Sequence, residues 1–263
     1  MRAFLVLLLS AGWLFGQVNP RALVRQSIAN GERSWTQSFS YSCLKRDIDR
    51  QFNSNGKVRS REDDLYRVIP LGYNTSYDEI IEQNGEPVSA DQKQKAEAEL
   101  ERRQAESPAQ KRRRFRKDLN ARSYMKEVAD AFNFRIVGRE KLPTGMAWVL
   151  EATPRPGFQP RSRYAHAFPK MRGKLWIDQK DVQWVKADAI SMDTVTFGFF
   201  IARLAKGSHI IIEQQKLPDG DWVPKSISAK ASARTFVFFN HNFDEEITYT
   251  DYKKSADALS ARR

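Results

Sequence analysis

The chain has 263 residues, 41% of them apolar and 11% aromatic. That is enough for a real core, which excludes a globally disordered chain and leaves one large β domain or two small ones. Its 44 basic and 32 acidic residues give a net charge of +12, which favours anionic partners such as nucleic acid, acidic lipid head groups or envelope polymers, and its single cysteine excludes an internal disulfide.

Met1-Arg2 makes a short positive start, Ala3-Phe-Leu-Val-Leu-Leu-Leu-Ser-Ala11 is an apolar run, and small residues lead to Gly16 before the polar Gln17. This three-part pattern reads as a secretory signal peptide cleaved after Gly16. A membrane anchor is the competing reading, but the run is shorter than the ~20 apolar residues of a spanning helix. The expected organisation is a leader over 1–16, one domain over 17–254 and a polar tail over 255–263, exported and soluble in the bacterial periplasm.

Pro20 opens a predicted helix to Glu32, with Leu23, Val24 and Ile28 on one side and Gly31 as its stop. A strand is expected over about 35–49, with Trp35, Phe39, Tyr41 and Cys43 on one face and Thr36, Ser38, Ser40 and Ser42 on the other. That alternation makes Cys43 a small buried residue rather than a reactive thiol. Asn53-Ser-Asn-Gly56 predicts a turn onto a strand over 57–69. Ser89 and Gln92 stand at capping-box spacing and open a charged helical run to about Glu106. After Ser107-Pro108 a second helix is predicted over about 109–132, with Leu119, Tyr124, Val128 and Phe132 near one face. Residues 88–132 are thus a helical excursion covering a sheet, and the first of the two helices should be largely solvated.

Phe134–Arg139 and Ala147–Thr153 are predicted strands joined by Leu142-Pro-Thr-Gly145, and a Pro-rich loop follows to Pro169. From Gly173 to Lys254 the chain reads as an antiparallel meander. Leu217-Pro-Asp-Gly-Asp221 is a turn with a mechanism, since Pro fixes φ at the first position and Gly takes φ > 0 at low cost. Asn240-His-Asn242 is the last expected break. The fold class is mainly β with a helical lid (α+β), on a curved antiparallel sheet.

Lys111, Arg112, Arg113, Arg114, Arg116 and Lys117 form the loudest local signal. At ~100° per residue they spread over several helix faces, a solvated surface. The functional reading is contact with an anionic membrane, at ~1 kcal/mol per basic residue; behind a signal peptide, no nucleic-acid partner is expected. There is no His-Glu-x-x-His, Gly-x-Ser-x-Gly, phosphate-cradling glycine loop or Cys-x-x-Cys, and His166, His209 and His241 stand far apart. No catalytic residue, metal or cofactor is assigned. In the long strand after Trp222 the inward positions narrow to Ala229, Ala231 and Ala233 before Phe239. Interiors are packed to ~0.75 density, so this space must be filled by a covering helix or by a ligand. Thr194–Ala202, with Phe197 and Phe199, places bulk on both faces, as a doubly covered strand or an aromatic rim.

Gly173-Lys-Leu-Trp-Ile-Asp178 and Gln214-Gln-Lys-Leu-Pro-Asp-Gly-Asp-Trp-Val-Pro224, followed by Ala/Ser-alternating and Phe-rich strands, are similar to the outer-membrane lipoprotein-sorting carriers of the LolA/LolB-like superfamily. The resemblance covers mainly 173–254 and more loosely 20–70. It implies an incomplete, strongly curved β-barrel with helices as a lid over a hydrophobic cavity, and binding of acyl chains of lipoproteins. The helical excursion at 88–132 is larger and more basic than that family's lid. The expected function is a non-enzymatic, monomeric carrier of a lipidic or acylated ligand, with Phe197, Phe199, Ala229, Ala231, Ala233 and Phe239 lining its cavity. An envelope interaction module that makes contact through the basic helices is the runner-up, and a hydrolase the third reading.

Overall fold

The computed structural model describes residues 18–53, 55–197, 202–235 and 239–255, and the side chains of all of these but 196–197, 202–204, 232–235 and 239–241. The expected leader, Phe199 and nearly all of the expected tail lie outside these residues.

An opening helix, α1 (Pro20–Ser38), leads into strands β1 (Tyr41–Phe52), β2 (Val58–Gly72), β3 (Thr75–Gln83) and the two-residue β4 (Glu86–Pro87). Helices α2 (Ala90–Gln104) and α3 (Pro108–Ala121) follow, then a 3₁₀ turn (Ser123–Glu127) and the short α4 (Val128–Ala131). Strands β5 (Phe132–Leu142) and β6 (Gly145–Pro154) come next, and a second 3₁₀ segment (Tyr164–Lys170) leads into β7 (Met171–Asp178) and β8 (Trp184–Ser191). The chain finishes with short β9 (Val195–Phe197) and β10 (Ala202–Leu204), then β11 (His209–Lys216), β12 (Trp222–Thr235) and β13 (Phe239–Lys254).

The main sheet is antiparallel and open, in the order β4-β3-β2-β1-β13-β12-β11-β8-β7-β6-β5, with β9 and β10 attached beside β12. The last strand closes onto the first, so β1 and β13 lie at the centre, paired from Tyr41–Lys254 to Phe52–Asn242. β4 and β5 are the two edges, and the helical excursion is the connection between them. This is the mainly β fold with helical cover that the sequence predicts.

Three elements differ from expectation. Helix α1 does not stop at Gly31 but runs to Ser38, so Trp35 and Phe39 are not on a strand. Gly31 serves close approach instead, since a Cβ there would meet the Trp184 ring, 2.8 Å from Cδ1. The second helical run ends at Ala121, and Phe132 already begins β5, paired with Pro154. Asn240 and Asn242 are ladder residues of β13, opposite Arg234 and Ser232. Strand β3 is not foreseen at all. Cys43 is buried, 6% exposed, and burial lifts its thiol to about 11. The capping box of Ser89 and Gln92 forms, and Ser107 and Gln110 make a second one at α3. Of α2 only Ala96 is buried, against the Tyr77 side of β3, whose hydroxyl donates to the Ala96 carbonyl at 3.3 Å.

Candidate functional site: an apolar cavity on the concave face

Directly opposed residues of a ladder share a face, so the register gives the inner surface row by row. One row runs Leu150, Leu175, Ala187, Ile212, Ile227, Ile247, Asp47, Asp64. The next runs Ala152, Gly173, Ala189, Ile210, Ala229, Glu245, Asp49, Glu62. The same face is therefore apolar from β6 to β12 and acidic over β1 and β2, with β13 as the border.

Helix α1 lies over the apolar part, with Val24 and Ile28 in a core that includes Leu150 and Ile177. Its position is set at its middle and in its last turn. Asn30 Nδ2 donates to the carbonyls of Asp181 and Val182 at 2.9 Å, and Gln37 donates to Asp221 at 2.5 Å. Beside it the Tyr41 hydroxyl oxygen lies 2.5 Å from a carboxylate oxygen of Asp219 and of Asp221, with its one proton shared between them, and Lys254 Nζ lies 3.0 Å from both carboxylates. The Tyr41 bond, ahead of Lys254 and against burial, holds the Asp219 carboxyl down at about 2.

The other wall of the cover is the two 3₁₀ segments. Glu127, 4% exposed, accepts from the backbone N–H groups of Arg161 and Ser162 at 2.9 Å each. Burial opposes its charge, but the hydrogen bonds from 162 and 161 outweigh burial and hold its carboxyl below the ordinary value. This clasp ties the Pro-rich loop to the lid, and Phe168 then packs on Phe132 at 5.4 Å and on Tyr124 at 6.3 Å between ring centroids.

Between α1, these segments and the sheet lies a cavity of 560 Å³, within the roughly 300–1,000 Å³ of small-molecule sites. Met125, Phe134, Phe168, Leu175, Ala187 and Ile212 are among its lining residues. Gly173 belongs to the wall, and its lack of a side chain is required there, because a Cβ would fall on the Asp188 carbonyl oxygen of the neighbouring strand. The lining surface is mainly apolar and can hold an apolar chain, with Ser27, Arg122, Tyr124 and Trp184 among the polar residues that border it.

Of the expected lining residues, Ala229 and Ala231 have described side chains. Ala229 stands opposite Ile210, one strand beyond the cavity wall on the same face. Ala231 lines a separate shallow groove of 350 Å³ with Lys206 and Phe243. The side chains of Phe197, Ala233 and Phe239 lie outside those described, as does Phe199 entirely. The residues that do line the cavity include Tyr124, Val128 and Phe132, the apolar stripe already visible in the sequence but assigned to a continuous helix.

The basic run also divides. Arg114 pairs with Glu106, Lys111 donates to the Gln104 carbonyl at 3.0 Å, and Arg112 stands over the Tyr73 ring at 5.1 Å. Arg113, Arg116 and Lys117 are exposed. Among the described residues no three His, Cys, Asp or Glu side chains are grouped to hold a metal, and no helix is long and apolar enough to cross a membrane. His209 bonds Asp188 at 2.7 Å on the outer face.

No protein-family model and no curated protein matches the chain. Among solved structures it is similar to a LolA superfamily protein from Nitrosomonas europaea, at 12% identity and a TM-score of 0.37 over 90% of this chain and 94% of that one. It is also similar to a DUF1329 family protein from Desulfovibrio piger (12%, TM-score 0.32, 91% and 95%) and to an outer membrane lipoprotein-sorting protein domain from Vibrio parahaemolyticus (10%, TM-score 0.29, 89% and 94%).

Proposed function

We propose that the protein is a non-enzymatic carrier that holds the apolar chain of a lipidic or acylated ligand in the cavity beneath α1. The observation that carries this reading is the 560 Å³ apolar space bounded by lid and sheet. Burial contributes ~0.8 kcal/mol per CH₂, so eight methylenes supply about 6 kcal/mol without polar recognition. Export to the periplasm, read from the first 16 residues, places the carrier where such ligands cross between membranes. Arg113, Arg116 and Lys117 on α3 face solvent and supply contact with an anionic bilayer while the cavity loads or empties.

Native mass spectrometry of the purified protein, followed by organic extraction, tests this. A copurifying lipid, or exchange with a fluorescent fatty-acid analogue, is expected. Absence of both rejects the carrier.

A further inference from the structure

The floor of the cavity has a direction. Phe134, Ala152, Gly173, Ala189 and Ile210 stand directly opposite one another on the neighbouring strands β5, β6, β7, β8 and β11, and all of them line the cavity. The central positions of this row carry only two alanines and a glycine. The banks are bulkier. Side chains two residues apart on a strand share a face, so Leu175 and Ile212 flank Ala187 in the row on one side, and Phe132 and Met171 stand on the other; these line the cavity too. The small residues are therefore the bed of a trough that runs across the strands, with Ser27 and Ile28 of α1 in its roof.

From β5 to β11 the row spans about 19 Å at ~4.8 Å per strand. An extended chain advances ~3.3–3.6 Å for every three backbone bonds, so about sixteen bonds reach from Phe134 to Ile210. The volume leads to a similar figure by a separate route. A methylene displaces about as much as one water, ~30 Å³, so 560 Å³ accommodates about eighteen carbons. Length and volume agree only if the trough is one chain wide. Widening it would break contacts on both sides: Asn30 holds α1 to the carbonyls of Asp181 and Val182 at 2.9 Å, and Glu127 holds the 3₁₀ cover to the N–H groups of Arg161 and Ser162 at 2.9 Å. We infer that the ligand carries one unbranched apolar chain of about sixteen carbons, laid across strands β5 to β11, and that lipids with two chains are poor ligands. The inference rests on the carrier reading and adds to it the number and length of the chains.

The test is displacement of an apolar fluorescent probe by alkylphosphocholines from decyl to docosyl, each below its micelle concentration. Dioctanoylphosphatidylcholine serves as the two-chain comparison, with the head group and total chain carbons of hexadecylphosphocholine. Affinity should rise about three- to fourfold per methylene and level off near the hexadecyl chain, which should bind at least about tenfold tighter than the two-chain lipid. Two variants, each checked by its melting temperature to be folded, move the end of the trough. Ile210→Ala joins it to Ala229, the next residue of the row, and should shift the levelling point by about four carbons to longer chains. Ala189→Leu blocks the bed and should shift it to shorter ones. Affinity that climbs without a break to the docosyl chain, a two-chain lipid that binds as tightly as the single chain, or a levelling point that neither variant moves overturns the single-chain trough while leaving the carrier standing. If no member of the series displaces the probe, the carrier reading itself falls.

Discussion

The apolar and acidic halves of the concave face are built from the same kind of strand, with the same register logic and the same curvature. What differs is the cover. Over β5 to β8 the inner side chains meet α1 and the two 3₁₀ segments, and a core forms around Leu150 and Ile177, both 0% exposed. Over β13, β1 and β2 no helix makes its main contacts, and carboxylates take the same positions. One half of the sheet is thus committed to excluding water and the other to presenting charge. The cavity lies at the covered end, where the lid does not reach the sheet.

The largest effect expected from breaking this comparison is in the core. Leu150→Ala should cost about 3 kcal/mol, lowering the melting temperature by roughly 6–12 °C. Ile247→Ala, in the same row but at the acidic border, should cost less than half of that; equal losses would mean that the border strand is as tightly covered as the core. Next comes filling the cavity. Ala189→Trp, on the wall, should weaken binding of an apolar probe at least about tenfold, through the methylenes it excludes. Ala231→Trp, in the separate groove, should leave binding within about twofold, and if it reduced binding as strongly the lumen would extend to β13.

The inner face also shows what the sequence could tell and what it could not. Period-2 alternation and the Pro-Asp-Gly turn made β12 legible, and with it the small residues facing inward. Which strand lies beside which was not written locally. The pairing of β13 with β1 brings residues some 200 positions apart together, so Asp49 and Glu245 could not be seen as one patch. Trp35 and Phe39 misled because alternating aromatic and hydroxyl residues fit a strand, while the helix there is decided by packing of Trp35 on Phe115, 5.6 Å between ring centroids. Gly31 misled for a related reason: it looked like a helix stop, and only the position of Trp184 shows that it makes room for a ring.

A smaller effect tests the acidic half alone. Asp47 and Glu245 have raised folded-state values, so folding favours their protonated forms and their charges cost stability at neutral pH. Asp47→Asn/Glu245→Gln should raise the melting temperature by up to about 2 °C at pH 7. The gain should vanish as pH falls through the folded values toward the ordinary carboxylate range, where the wild type is protonated as well. A loss of stability at pH 7 would show that these groups have partners after all. An effect of similar size is expected at the lid's edge, where Ser107→Ala removes the α3 cap at about 1 kcal/mol and should leave probe affinity unchanged.

The central claim is that an apolar chain lies beneath α1. The direct measurement is a crystal structure of the protein grown with 12-bromododecan-1-ol, read by the anomalous signal of bromine. The account predicts a bromine peak within the cavity, about 4 Å from carbon atoms of Phe168, Leu175 or Ala187. Bromine found only on the outer face or along α3, with the cavity holding none, would contradict it.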